Sequence, residues 1–213
     1  MADPLIREIP GAVGPLEVLF DKPSGQPRAV VVFAHPLPTQ GGTMHTKVVF
    51  QSAKALAEIG CVVLRFNFRG VGRSAGQWDN GKGELDDFRA AVDYMAAQHP
   101  GLEIWAAGFS FGSYIALTSG AADPRVCALI AIAPPVDRYD FEPAEQSERP
   151  KFIIHGERDE LISLRSVRAF YARLQEPKEM VEIDRANHLF DGQAGEVGDA
   201  LRDLLADFSC AKP

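Results

Sequence analysis

The sequence predicts an α/β fold, with a mostly parallel central sheet of about seven or eight strands, helices on both faces and no large cap, in a single domain covering residues 1–213. Three observations carry this. Apolar runs of strand length alternate with segments of helical period. Several runs, such as Ala29-Val30-Val31-Val32-Phe33-Ala34, are continuously apolar, as strands covered on both faces are. The chain has 213 residues, enough for one domain with a substantial core.

Each element has its own signal. Residues 5–9 and 16–20 predict a hairpin around a Pro/Gly turn, and 21–27 a loop rich in breakers. A strand at 29–34 precedes a helix at 46–59, which Gly60 ends. A strand at 61–68 is followed by a helix at 84–98, stopped by Pro100 and Gly101. Residues 102–107 predict a strand, 111–121 a helix, and 126–133 and 151–155 two more strands. Only residues 134–150 separate that last pair, room for a short helix or loop but not a lid domain. Residues 163–174 place Leu164, Val167, Tyr171 and Leu174 on one helical face, and 179–184 form the last strand. A final helix lines up Val197, Leu201, Leu204, Leu205 and Phe208.

Composition excludes some partners. The net charge is -7 and basic residues do not cluster, which argues against nucleic acid. No apolar run approaches the roughly 20 residues of a membrane span, and Met1 to Glu8 lacks the basic and apolar start of a signal peptide. Cys61 and Cys127 begin apolar runs and read as small buried thiols. With Cys210 they make an odd, widely spaced set that suggests neither a disulfide framework nor a zinc site. No membrane insertion, no cofactor, no metal and a cytoplasmic location are therefore expected, with a homodimer the one self-association considered.

Ligands of such sheets bind beyond the carboxyl ends of the strands, so chemistry is sought in the loops that begin at His35, Arg69, Gly108, Pro134, Gly156 and Arg185. Gly108-Phe109-Ser110-Phe111-Gly112 fits G-x-S-x-G between a strand and a helix. A serine on so sharp a turn needs glycine two positions either side, where larger side chains would collide with the neighbouring strand and helix. The helix N-terminus then aims N–H groups at negative charge developing beside Ser110.

A serine hydroxyl needs a base. His188, just past the last strand, is the candidate. His99 and His155 read as structural, and His45, near a helix start, lies within possible reach of the pocket. The base needs a carboxylate, for which Asp159 is chosen, with Asp137 as the alternative and Glu157 and Glu160 as solvated groups. The order Ser110, Asp159, His188 follows. Acyl transfer also needs two oxyanion donors. Phe111 N–H is one. In His35-Pro36-Leu37-Pro38 the prolines carry no N–H, which leaves Leu37 as the other.

These residues resemble the α/β-hydrolase superfamily, most closely its small lid-less bacterial serine esterases near the dienelactone hydrolases. The matching segments are His35-Pro36-Leu37 with Gly41 to Met44, Phe66 to Ser74, the serine turn, Gly156 to Asp159, and Asn187-His188. The resemblance implies the α/β-hydrolase fold and carboxylic-ester hydrolysis. Dienelactone hydrolases proper use cysteine where Ser110 stands, so their lactone is not carried over. A small-molecule ester is the expected substrate, with a thioester or amide as alternatives. His35, Trp78, Phe109 and Phe190 are expected near it, with the side chains of Leu37, Phe109, Phe111 and Phe190 lining the acyl side.

Two other classes compete. Gly70-Val71-Gly72-Arg73-Ser74-Ala75 matches the dinucleotide fingerprint, but Gly76, Gly81 and Gly83 follow where a helix should start at once. An inactive hydrolase-like binding module is the third reading, against which stands the retention of serine, acid, histidine and both oxyanion positions.

Overall fold

Eight strands form one sheet in the order β1-β2-β4-β3-β5-β6-β7-β8 in the computed structural model, which describes residues 8–210. The strands are β1 (Glu8–Ile9), β2 (Leu16–Asp21), β3 (Ala29–Ala34), β4 (Cys61–Phe66), β5 (Glu103–Phe109), β6 (Val126–Ile132), β7 (Lys151–Gly156) and β8 (Lys178–Ile183). The helices are α1 (Lys47–Glu58), α2 (Gly83–Gln98), α3 (Phe111–Ala122), α4 (Glu142–Gln146), α5 (Leu164–Arg173) and α6 (Ala194–Leu205). The two N-terminal strands are antiparallel and β3 to β8 are mutually parallel.

The order reverses at β3. Its parallel neighbours are β4 on one side and β5 on the other, so the crevice for a ligand opens where the loops after β3 and β5 part. Those loops carry Leu37 and Ser110. Successive β3 side chains feed opposite cores. Val30 and Val32 join Phe66, Phe88, Phe111, Ile115 and Phe170 under α2, α3 and α5. Val31 and Phe33 join Val49, Leu56, Trp105, Phe109, Val197 and Leu201 under α1 and α6.

The departures from expectation have local causes. Residues 5–7 of the expected hairpin lie outside the described residues. Strand β4 ends at Phe66 rather than 68 because side chains capture the next amides' neighbourhood: Asn67 Oδ1 accepts from Met44 N and Phe68 N donates to His35 Nε2. Strand β5 runs on to Phe109 because Gly108 and Phe109 stay in register with Ala131 and Ile132 of β6. Phe208 lies past the end of α6. Arg28 gathers the carbonyls of Leu205, Ala206 and Phe208, and the Phe208 ring packs 5.3 Å from Trp105 and 4.9 Å from Phe152.

The cysteine reading needs correcting. Cys127 is not a buried thiol but is bonded to Cys210, 83 residues away. Linear spacing hides the contact, because it forms only when the tail after α6 returns to the start of β6. The cysteine argument for a reducing compartment falls with it. Cys61 is buried and free as expected, and burial pushes its thiol up to about 11. No helix among the described residues is long and apolar enough to cross a membrane.

Helix α3 abuts the end of β3 so tightly that a Cβ on Gly112 would lie 2.3 Å from Ala34 O and 2.5 Å from His35 O. Both are backbone atoms that cannot step aside alone. Gly112→Ala should therefore cost about 2–4 kcal/mol in urea unfolding. A loss below about 1 kcal/mol would show that the strand–helix junction is looser than described.

Candidate active site

The backbone at Ser110 has φ 52° and ψ -122°, a conformation that L-residues rarely adopt. Three hydrogen bonds hold it there. Ser110 N donates to Ile132 O at 2.8 Å, while Ser113 N and Oγ donate to Ser110 O at 2.8 and 2.6 Å. The turn also depends on Gly108, where a Cβ would lie 2.1 Å from Gly112 O. The result lifts the hydroxyl out of the strand and presents it at the crevice.

His188 meets it there. Its Nε2 lies 2.9 Å from Ser110 Oγ and its Nδ1 2.7 Å from Asp159 Oδ2. The three side chains chosen from the sequence thus form one hydrogen-bonded chain, drawn from the loops after β5, β7 and β8. Burial opposes the charge on Asp159, but the bond to His188 and the amides of Ile162 and Leu161 outweigh it and hold the carboxyl below its usual range. Those amides reach Asp159 Oδ1 at 2.8 and 2.9 Å. An ionised Asp159 only accepts, so the proton of a neutral His188 sits on Nδ1 and the Nε2 lone pair faces the serine hydroxyl.

Two groups stand behind this chain, Glu160 in a role the sequence did not suggest and His155 in the local structural role expected of it. Glu160, expected to be merely solvated, accepts from His188 N at 3.2 Å. His155 is fully buried and donates from Nε2 to Ile162 O at 3.0 Å, with Asp159 Oδ2 at 3.7 Å. It pins the turn whose amides hold Asp159. Its Nδ1 has no partner among the described residues, and burial keeps the ring's affinity for a second proton below normal. A histidine four residues before the acid, at the end of a buried strand, was the available signal.

The loop after β3 is built to hold one peptide still. His35 is fully buried, accepts from Phe68 N at 3.1 Å through Nε2, and donates from Nδ1 to Pro36 O at 2.7 Å. Because the Pro36–Leu37 peptide is planar, fixing that carbonyl fixes the direction of Leu37 N–H. Leu37 O accepts from Gln40 N and Gly42 N, both at 3.1 Å, around a short 3-10 turn at Pro38–Gln40. The amides of Leu37 and Phe111 donate to no other group among the described residues.

Four side chains expected near substrate stand behind the site instead. His35, Phe109 and Phe190 are fully buried and Phe111 is 1% exposed. The rings of Phe109 and Phe190 pack 6.2 Å apart, with Phe109 5.7 Å from the His188 ring, so they support the histidine from the α1/α6 core. Trp78 remains half-buried, its ring 5.1 Å from Phe111. His45 and Asp137 are exposed and join none of these contacts.

The glycine decoy resolves as a turn. Gly70 N donates to Ala75 O, Arg69 forms a buried bidentate pair with Asp87, and no helix starts before Gly83. The cluster of metal-type donors found among the described residues, Glu103 with Cys127 and Cys210, lies at the amino ends of the strands, and its two sulfurs are bonded to each other.

Known proteins match along the same lines. A family model described as "Serine aminopeptidase, S33" matches residues 25–140. A lid-less α/β serine hydrolase from Xanthomonas campestris, XC6422, is 38% identical with a TM-score of 0.88, covering 97% of this chain and 95% of that one. An α-β serine hydrolase homologue from Coxiella burnetii is 41% identical with a TM-score of 0.87, over 93% and 95%. The chain belongs to the α/β-hydrolase superfamily. A relative of this hydrolase, the uncharacterized protein RP471 of Rickettsia prowazekii, is 34% identical over 92% of this chain and 86% of its own length.

The buried imidazole under the oxyanion loop gives the hydrolase a pH signature. Burial pushes His35 from its ordinary 6.5 down to about 4, against the bond to Pro36 that favours charge. The unfolded chain therefore takes up a proton near pH 6.5 that the folded one refuses, so stability is full above about 6.5 and is lost as pH falls toward 4. Urea unfolding at pH 4.5 should read about 2–3 kcal/mol less than at pH 7.5 from this group alone. His35→Gln keeps a donor and an acceptor without titrating, and should flatten the slope by that amount. An unchanged slope would remove His35 as its source.

Proposed function

We propose that this α/β-hydrolase cleaves carboxylic esters through an acyl-enzyme on Ser110. The observation that supports this reading most is the hydrogen-bonded chain from Ser110 Oγ through His188 to Asp159, closed at 2.9 and 2.7 Å, beside two unengaged amides. As Ser110 Oγ bonds to the ester carbonyl carbon, its proton passes to His188 Nε2. The carbonyl oxygen becomes an oxyanion, to which the N–H groups of Leu37 and Phe111 donate without having to reorient. The C–O bond to the alcohol then breaks and His188 returns the proton to the leaving oxygen. Water repeats the sequence on the acyl-serine, with the same base, and releases the acid.

Asp159 stays ionised throughout and stabilises the imidazolium. Access fits small or flexible substrates. The stretch between β6 and β7 carries only the five-residue α4, and Leu161 and Leu189, beside Asp159 and His188, are about half exposed. A thioester would use the same atoms in the same roles.

A fluorophosphonate should leave its adduct on Ser110, mapped by mass spectrometry. Ser110→Ala should abolish the adduct and lower kcat on p-nitrophenyl esters about 10⁴-fold or more, and Asp159→Asn should lower it by roughly 10³–10⁴-fold. Turnover unaffected by Ser110→Ala would sink the reading. His155→Phe should lower kcat about tenfold with KM within about twofold, because it loosens the turn that holds Asp159 without touching substrate. Equal changes in kcat and KM would place His155 outside the positioning of the acid.

A further inference from the structure

The sheet divides the surroundings of Ser110 into two sides. His188 reaches the serine from the side of the α1/α6 core, where its ring rests on Phe109. Phe111, the next residue after the serine, sends its ring into the opposite core, under α2 and α3. This division assigns the two halves of an ester. The leaving alcohol must lie beside His188 Nε2, which protonates it. With the carbonyl oxygen on Phe111 N–H, the acyl group is left the other direction, toward the Phe111 ring.

What waits there is aromatic. The Phe111 ring has Trp78 at 5.1 Å, Tyr139 at 5.6 Å and Tyr114 at 6.2 Å. Tyr114 and Tyr139 stack on each other at 4.5 Å with 17° between their planes. Trp78, Tyr114 and Tyr139 are all half-buried, and among the described residues neither phenol hydroxyl has a hydrogen-bond partner. Three separate segments meet to build the ledge: the loop 70–82, α3, and the stretch before α4. Gly81, at φ 87°, supplies the backbone turn that brings the first of them against Phe111 and Tyr114.

We infer that Trp78, Tyr114 and Tyr139 form an acyl-side ledge that selects esters of aromatic acids, the acyl ring lying against these side chains while the carbonyl oxygen sits on Phe111 N–H. This rests on the esterase reading. Aromatic rings gain from edge and offset contacts beyond the area they bury, so a flat acyl ring is favoured over an alkyl chain of equal size.

The test compares p-nitrophenyl phenylacetate with p-nitrophenyl cyclohexylacetate and acetate, so that the alcohol is constant and only the acyl group changes. The wild-type protein should favour phenylacetate over both in kcat/KM. In Trp78→Ala and Tyr139→Ala the ratio of phenylacetate to acetate should fall about five- to tenfold. Tyr139→Phe keeps the ring and should hold the ratio within about twofold. A ratio within one preparation does not depend on how much of a variant is folded. Ratios unchanged in both alanine variants, or cyclohexylacetate turned over as well as phenylacetate, would overturn the ledge while leaving the esterase intact. Absence of a fluorophosphonate adduct on Ser110, with no turnover of any of the three esters, would remove the esterase reading and the ledge with it.

Discussion

The junction of β5 with α3 governs what the rest of the site can be. Gly108 and Gly112 let the strand, the helix and the end of β3 approach to distances that no Cβ would tolerate. Squeezed between them, Ser110 takes a backbone conformation worth about 1–3 kcal/mol of strain. That strain does two things at once. It stands the hydroxyl clear of the sheet, and it turns the first amide of α3 outward with no carbonyl to serve. Close packing against β3 also sets the separation between Phe111 N–H and Leu37 N–H, because the loop that carries Leu37 leaves β3 at that contact. The proposed nucleophile and both proposed oxyanion donors are thus one mechanical unit.

The proposed acid and base are fixed by a different means, electrostatic rather than steric. Asp159 pays for its burial with three hydrogen bonds, two from its own turn and one from His188. His155 then holds the far side of that turn through Ile162 O. Both buried histidines, 35 and 155, are kept neutral by burial, and each uses a single ring N–H to immobilise one backbone carbonyl. Neutrality matters in each case. A cation at His35 would disturb the field at the oxyanion, and a cation at His155 would compete with His188 for Asp159. Only His188 faces a group that can exchange a proton with it in the reaction.

Much of this was legible in the chain, and the reason is the period of the elements. A parallel sheet buried on both faces writes its strands as unbroken apolar runs, so β3 and β6 could be placed to within a residue. The serine turn was legible because its sterics demand glycine at fixed offsets, and the oxyanion loop because two prolines remove every competing donor. What stayed hidden depends on contacts between distant segments. Cys127 and Cys210 meet only after the tail folds back. Phe109 and Phe190 look like pocket residues by their neighbours in sequence, but the alternation along β5 turns Phe109 toward α1 and α6. Tyr114 and Tyr139 carried no pattern at all, because stacking between α3 and the stretch after β6 leaves no period in either.

The two-sided layout separates what must stay constant from what can vary. The base comes from one side of the sheet and is braced by the core beneath it, so its geometry does not depend on the loops opposite. The acyl side is built from the loop 70–82, one face of α3 and the stretch before α4, none of which carries the serine's partners. Changes in those rings alter what fits without moving the proton path from Ser110 to Asp159. The one residue on both sides of the division is Phe111. Its amide is a proposed oxyanion donor and its buried ring backs the proposed ledge, so an acyl group that packs well on Trp78, Tyr114 and Tyr139 brings its carbonyl oxygen to the amide. Binding energy gained by the acyl ring is thereby turned into orientation of the reacting carbonyl, which is where it can raise the rate rather than only the affinity.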